Sequence, residues 1–158
     1  SWEKEEALID INIKALSKLT KHFLPMIIKA KQGGILNVAS TAAFCSGPKM
    51  AAYYGSKAYV LNLTEAIHEE VKKDGIKVSC LCPGPVKTSF QAKEKKKKSE
   101  GAKKYLMEAK DVAKEGYKGF KKGKAIIVPG IKNKFLVNIN KFVPRSIVRK
   151  IVLKTNEK

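Results

Sequence analysis

Three side chains in the first half of the chain have the types and spacing needed to move a proton. Tyr53 and Lys57 are four residues apart in a segment with helical periodicity, so they share one face of a helix. A phenol has an ordinary pKa of about 10, and a neighbouring ammonium lowers such a pKa because it stabilises the phenolate. The hydroxyl of Ser40 can hold a substrate oxygen beside that phenol. Together the three groups suit proton transfer to or from a carbonyl or hydroxyl oxygen, paired with hydride transfer from a cofactor.

Short apolar runs alternate with helical segments and would position these residues. The runs predict three strands, at 35–39, 77–82 and 125–128. Strands that alternate with helices are typical of an α/β fold with a parallel sheet and right-handed crossovers. Ser40 then lies at the carboxyl end of the first strand, where open α/β sheets bind their ligands.

Helical periodicity predicts long helices at 3–30 and 50–73, a shorter one at 111–122, and an amphipathic tail at 133–154 that Pro144 divides. We expect Pro25 to kink or interrupt the first helix. The predicted inner face of that helix consists of Leu8, Asn12, Leu16, Leu19 and Phe23. Both histidines, His22 and His68, are adjacent to charged residues and are expected at the surface.

Composition excludes several classes of protein. The chain has 33 Lys and Arg against 14 Asp and Glu, a formal charge of +19, and no run near the ~20 apolar residues of a membrane span. An odd count of three cysteines predicts a reducing, cytoplasmic location. Cys80 and Cys82 are interpreted as buried small residues, and the distant histidines predict no metal site. A transmembrane protein, a secreted disulfide scaffold and a disordered chain are therefore excluded.

Three motifs follow one another along the chain. They are Asn37-Val38-Ala39-Ser40, Tyr53-x-x-x-Lys57, and Pro83-Gly84-Pro85-Val86-Lys87-Thr88 after the second strand. Tyr-x-x-x-Lys alone is common by chance, but the three motifs at these spacings are specific. From about residue 2 to residue 130 the chain resembles the short-chain dehydrogenase/reductase family.

The resemblance implies a role for each matching residue. Tyr53 would be the general acid in reduction and the general base in oxidation, and Lys57 would lower the pKa of its phenol. Both residues would contact the nicotinamide ribose. Ser40 would orient the substrate carbonyl. Asn12 would hold a water in a proton relay, although it can also be interpreted as a polar residue that fixes helix register. The residues expected to line the nicotinamide are Pro83, Gly84, Val86 and Thr88.

The family's glycine-rich phosphate turn and its Asn-Asn-Ala-Gly motif have no counterpart in this sequence. The adjacent glycines Gly33-Gly34 do not supply the phosphate turn, because they follow a helix instead of opening one. We therefore expect a partial Rossmann-type, doubly wound parallel sheet: the catalytic half of a reductase at 1–130 and a basic tail at 131–158. The resemblance implies NADP or NAD as cofactor, with a slight preference for NADP that no residue here supports. The isolated chain is expected to bind it poorly.

The expected partners are a small carbonyl or alcohol substrate and a second copy of the chain, joined through the two long helices. One alternative is a noncatalytic basic module that contacts a membrane surface or nucleic acid, and another is a noncatalytic assembly half. Nucleic-acid binding is disfavoured, because the sequence has only two arginines and its lysine run at 95–98 contains no aromatic residue. For the tail, packing on a core or a partner helix is favoured over a membrane surface.

Overall fold

The computed structural model describes residues 1–87 and 106–157. Its first half comprises α1 (Trp2–Ile9), a π-helical segment (Asp10–Ala15), α2 (Leu16–Ala30), β1 (Gly34–Val38), a 3-10 turn (Thr41–Phe44), α3 (Ala51–Val71), a second 3-10 turn (Lys72–Asp74) and β2 (Lys77–Leu81). Its second half comprises β3 (Val86–Lys87), β4 (Met107–Glu108), α4 (Ala109–Lys121), β5 (Ile126–Ile127), α5 (Ile131–Ile139) and α6 (Arg145–Asn156).

The main sheet has three parallel strands, as the sequence predicts, and the structure arranges them in the order β1-β2-β5. In β1 and β2 successive side chains alternate between two layers of helices. Ile35, Val78 and Cys80 contact the layer of α2 and α3, whereas Leu36 and Leu81 contact α4. The α/β layering with a small parallel sheet is therefore confirmed. In the described part of the chain, β1 has a strand partner on one side only.

Close approach of backbone explains two glycines of this fold. A Cβ on Gly34 would lie 2.2 Å from the carbonyl oxygen of Lys77, so the pairing of β1 with β2 requires glycine there. A Cβ on Gly119 would lie 2.7 Å from Cγ1 of Ile127, because α4 packs directly on the sheet at that point.

The first long helix differs from its prediction in two ways. It continues through Pro25, and its departure from α-helical geometry comes earlier, at Asp10–Ala15. Pro25 is exposed, so water can hydrate the carbonyl that lacks a helical donor. The inner face also differs, because Leu19 and Phe23 are exposed while Leu24, Ile27 and Ile28 contact the core.

The prediction for His68 is wrong, whereas His22 is exposed as expected. His68 is buried between α3 and β2, and its Nδ1 donates a hydrogen bond to the carbonyl oxygen of Val78 at 2.6 Å. The backbone acceptor satisfies the hydrogen-bonding capacity of the imidazole N–H and allows the side chain to be buried.

The structure also pairs β3 with β4. The sequence pattern did not indicate this pair, since each strand has only two residues.

Candidate active site

Ser40 lies immediately beyond the carboxyl end of β1. It caps the following 3-10 turn, where its Oγ accepts a hydrogen bond from the backbone N–H of Ala42 at 3.1 Å. The same hydroxyl donates to the carbonyl oxygen of Pro83 at 3.4 Å, and the N–H of Thr41 donates to that oxygen at 2.9 Å. The serine motif and the Pro-Gly motif, 43 residues apart, are thus in direct contact.

Lys57 connects the helix α3 to the same strand end. Its Nζ donates a hydrogen bond to the carbonyl oxygen of Val38 at 3.2 Å and lies 5.9 Å from the centroid of the Tyr53 ring. Val38 is the last residue of β1, two residues before Ser40. The ammonium therefore sits between the phenol-bearing side chain and the strand end that presents the serine.

Asn12 reaches α3 through a residue that the sequence analysis did not single out. Asn12 Nδ2 donates to the Oγ of Ser56 at 3.1 Å, and Ser56 Oγ donates to the backbone carbonyl of Tyr53 at 2.8 Å. Ser56 is buried, so it is a fixed bridge between the two helices. Asn12 belongs to the π-helical segment, a local widening that is frequent at functional sites. The four predicted catalytic residues are therefore linked around the end of β1 and the start of α3.

Pro83, Gly84 and Val86 follow the carboxyl end of β2 and are half-buried, while Thr88 lies outside the described residues. Val86 packs with Leu36 and Met107 against the α4 side of the sheet. A Cβ on Gly84 would lie 2.5 Å from Oδ1 of Asn133. One side of the Pro-Gly loop is therefore covered by α5.

Burial and buried thiols set the electrostatics of this site. Burial lowers the pKa of Lys57, because removing water penalises the ammonium. Cys80 and Cys82 lie beneath the site as free thiols, fully buried, with their sulfurs 3.7 Å apart. A hydrogen bond from Cys82 lowers the pKa of Cys80, whereas that bond and burial raise the pKa of Cys82.

A cavity of about 590 Å³ lies beside the candidate catalytic residues and is not lined by them. Phe44, Cys45, Tyr54 and Asn62 line it together with Arg145 of α6, whereas Ser40, Tyr53 and Lys57 do not. Asn156 closes α6 against the same loop by donating a hydrogen bond to the carbonyl oxygen of Pro48 at 2.8 Å. Cys45 thus faces this cavity, and burial raises the pKa of its thiol.

The arrangement of these residues agrees with a comparison of sequences. Residues 1–99 match the family profile described as short chain dehydrogenase. The chain belongs to the short-chain dehydrogenase family. Over 89 residues it is 37% identical to Dehydrogenase/reductase SDR family member 4 of Bos taurus, a match that covers 56% of this chain and 31% of that protein.

Solved structures of short-chain dehydrogenases share the fold. A 7beta-hydroxysteroid dehydrogenase matches 96% of this chain and 60% of its own, with a TM-score of 0.86 and 23% identity. A short chain dehydrogenase from Burkholderia cenocepacia J2315, in complex with NADP, matches 97% of this chain and 62% of its own, with a TM-score of 0.79 and 20% identity. The resemblance drawn from the motifs and the Rossmann-type fold class are thus confirmed.

The match spans about a third of the curated relative, and the structural matches about three fifths of the solved chains. The helix α2 ends at Ala30 with Lys31 as its left-handed C-cap, and the pair Gly33-Gly34 leads into β1 and does not open a helix. In the described part of the chain we find no helix long and apolar enough to cross a bilayer.

Proposed function

We propose that this chain is the catalytic half of an NAD(P)-dependent short-chain dehydrogenase that interconverts a carbonyl and an alcohol. The observation that supports this most strongly is the position of Lys57 Nζ, hydrogen-bonded to Val38 at the strand end and 5.9 Å from the Tyr53 ring. A cation held beside a phenol at the carboxyl edge of a parallel sheet is the arrangement that this acid–base chemistry needs.

In the reductive direction, Tyr53 donates its phenolic proton to the carbonyl oxygen of the substrate, and the ammonium of Lys57 stabilises the phenolate that remains. In the oxidative direction the same phenolate accepts the proton of the alcohol. The hydroxyl of Ser40 donates a hydrogen bond to the reacting oxygen and orients it. Its present bond to Pro83 is long, at 3.4 Å, so redirecting it costs little.

Asn12 is proposed to hold a water that returns protons to Tyr53. The support is its position in the π-helical segment and its bond to Ser56, which is itself bonded to the backbone carbonyl of Tyr53. An amide that is fixed in this way can order a water without titrating.

The residues present fit the nicotinamide end of a dinucleotide. The polar groups of Lys57 and the half-buried loop from Pro83 to Val86 lie at adjoining strand ends, which is where such ligands bind in open α/β sheets. When bound, the nicotinamide supplies or accepts the hydride. The pyrophosphate end needs a glycine-rich turn that opens a helix. We propose that residues outside this chain provide that turn. We also propose NADP or NAD as the cofactor, with a slight preference for NADP.

The exposed apolar side of α2 suggests how copies associate. Leu19, Phe23 and Met26 form one exposed stripe, and Tyr59 of α3 is exposed nearby, hydrogen-bonded to Ser17 at 2.9 Å. We propose that this surface joins two copies through the two long helices. The three free cysteines are compatible with a proposed cytoplasmic location.

The experiment that tests the function is a pair of tyrosine variants in a complete family domain whose carboxyl half is this chain. Tyr53→Phe should lower kcat for carbonyl reduction at least ~100-fold, since the phenolic proton is lost. Tyr117→Phe makes the same change at a tyrosine of α4 that is 63% exposed, outside the site, and should leave kcat unaffected. Reduction is followed by the absorbance of NADPH or NADH, and equal rates for both variants would contradict the proposal.

A further inference from the structure

The helix α5 presents its apolar side to solvent. Ile131, Phe135 and Ile139 recur every four residues and therefore share one side, and all three are exposed. The opposite side faces the body of the protein, where Val137 is 6% exposed and Asn133 packs against Gly84. A helix that merely covered a core would bury its apolar side and expose its polar one.

Further exposed apolar side chains follow α5 along the chain. Phe142, in the turn that follows, is 86% exposed, and Ile147 and Ile151 of α6 are exposed one helical turn apart. Meanwhile Val148 of α6 is buried, so the helix is held on the body by its other side. We call the exposed side chains of residues 131–156 the tail surface.

The tail surface is strongly basic as well as apolar. From residue 131 to residue 156 the sequence contains Lys132, Lys134, Lys141, Arg145, Arg149, Lys150 and Lys154 and no Asp or Glu. Two copies of this surface brought face to face would place like charges against one another. A polyanion such as nucleic acid would neutralise the charge but would leave the aliphatic side chains and both phenylalanines without an apolar environment. The combination fits the interface of an anionic lipid bilayer, which supplies both.

We propose that the tail surface binds anionic phospholipid membranes peripherally, with Phe135 and Phe142 entering the headgroup region. The nine residues of α5 are too few to cross a bilayer, so the helix lies along the interface. This docking is independent of the proposed catalysis. Because Asn133 on the inner side of α5 contacts Gly84, it would bring the candidate active site close to the membrane.

Binding of the full chain to vesicles tests this proposal. Cosedimentation with phosphatidylcholine vesicles and with vesicles that also contain phosphatidylglycerol should show binding to the latter. The double variant Phe135→Ser/Phe142→Ser should bind at least roughly tenfold more weakly, because two aromatic side chains no longer insert. The control Trp2→Ser/Tyr117→Ser removes two aromatic side chains that are each 63% exposed elsewhere, and it should bind like the unaltered chain.

A charge-matched pair of variants gives a second test that leaves every apolar side chain in place. Arg149→Gln/Lys150→Gln and Lys121→Gln/Lys122→Gln remove the same charge from exposed sites on α6 and at the end of α4. The first should weaken vesicle binding several-fold more than the second, because only its charges belong to the segment that is proposed to bind the membrane.

Three results would overturn the proposal. The first is absence of binding to the phosphatidylglycerol vesicles. The second is equal binding by each variant and its control, which would mean that the overall charge of +19 suffices. The third is a dimer in analytical ultracentrifugation that Phe135→Ser/Phe142→Ser converts to a monomer, which would identify a second copy as the occupant.

Discussion

At the scale of single residues, the site depends on how Lys57 is held. Its Nζ donates to a backbone carbonyl and lies beside the Tyr53 ring, and its surroundings are dry enough that burial lowers its pKa. The ammonium is therefore less shielded by water than an exposed lysine would be, which strengthens its interaction with the Tyr53 side chain. The same burial makes its charge sensitive to alkaline pH.

We predict that carbonyl reduction in the complete domain declines on the alkaline side at a lower pH than an ordinary lysine would give. The cause is that burial lowers the pKa of Lys57, so the ammonium that supports Tyr53 is lost earlier. Lys57→Arg keeps its proton and should move this decline to higher pH. The measurement is kcat as a function of pH, and identical profiles for both proteins would contradict the assignment.

The free energy of unfolding should also depend on pH through Lys57, and the direction of this dependence is defined. Because the pKa of Lys57 is lower in the folded state, the unfolded chain binds more protons between the folded and unfolded pKa values, and stability there rises with pH. Lys57→Met removes the titrating group and should flatten this rise. Urea unfolding at a series of alkaline pH values measures it, and an unchanged slope in the variant would refute the prediction.

Ser56 provides a third prediction at this scale. Ser56→Ala removes a buried hydroxyl that accepts from Asn12 and donates to Tyr53, and it should lower the free energy of unfolding by about 1–3 kcal/mol. Ser17→Ala breaks only an exposed bond to Tyr59 and should cost less than about 0.5 kcal/mol. Urea denaturation compares the two, and equal losses would mean that Ser56 is no bridge.

At the scale of elements, two glycine contacts fix how α4 lies on the sheet. Gly116 and Gly119 are one turn apart, and a Cβ at these positions would lie 3.0 Å from Cδ2 of Leu81 and 2.7 Å from Cγ1 of Ile127. The helix therefore approaches the carboxyl ends of β2 and β5 at backbone distance. The strand ends from which the candidate site is built are held in place by this contact.

Gly119→Ala should therefore destabilise the chain although alanine favours a helix. The new methyl group must displace Ile127, and overpacking of this kind costs about 1–3 kcal/mol. Gly55→Ala on α3 is the matched control, because no atom lies within 4 Å of its Cβ, and it should gain about 0.5–1 kcal/mol. Thermal unfolding by circular dichroism measures both, and a stabilised Gly119→Ala would show that α4 is farther from the sheet.

At the scale of the whole molecule, the edge of the sheet that carries the candidate site is well formed, whereas one side of β1 has no strand partner among the described residues. In the described residues β1 pairs only with β2, and the adjacent glycines at 33–34 are not placed to bind a pyrophosphate. The two halves of a dinucleotide site normally lie on opposite sides of the point where the strand order reverses. Under the proposed function, the described residues supply groups for the nicotinamide end of the cofactor.

Calorimetric titration of the 158-residue chain with NADPH should accordingly show no binding in the micromolar range. Nicotinamide contacts alone leave the pyrophosphate and adenosine of the cofactor without partners, and binding energy is lost in proportion. The complete family domain used for the tyrosine variants is the positive control. Micromolar binding to the chain alone would contradict the proposal that residues outside it hold the phosphates.

The sequence by itself determined the three strands of the main sheet, their parallel direction and the motifs at their ends. Hydrophobic period, the glycines and prolines that end each element, and residue type are local properties. Only the tertiary structure decided which side of α2 is buried, that His68 finds a carbonyl inside the core, and that Ser56 bridges Asn12 to Tyr53. These depend on what lies opposite each side chain. No pattern along the chain specifies a contact between residues 44 positions apart, since its free energy comes from the packed neighbour and not from the spacing.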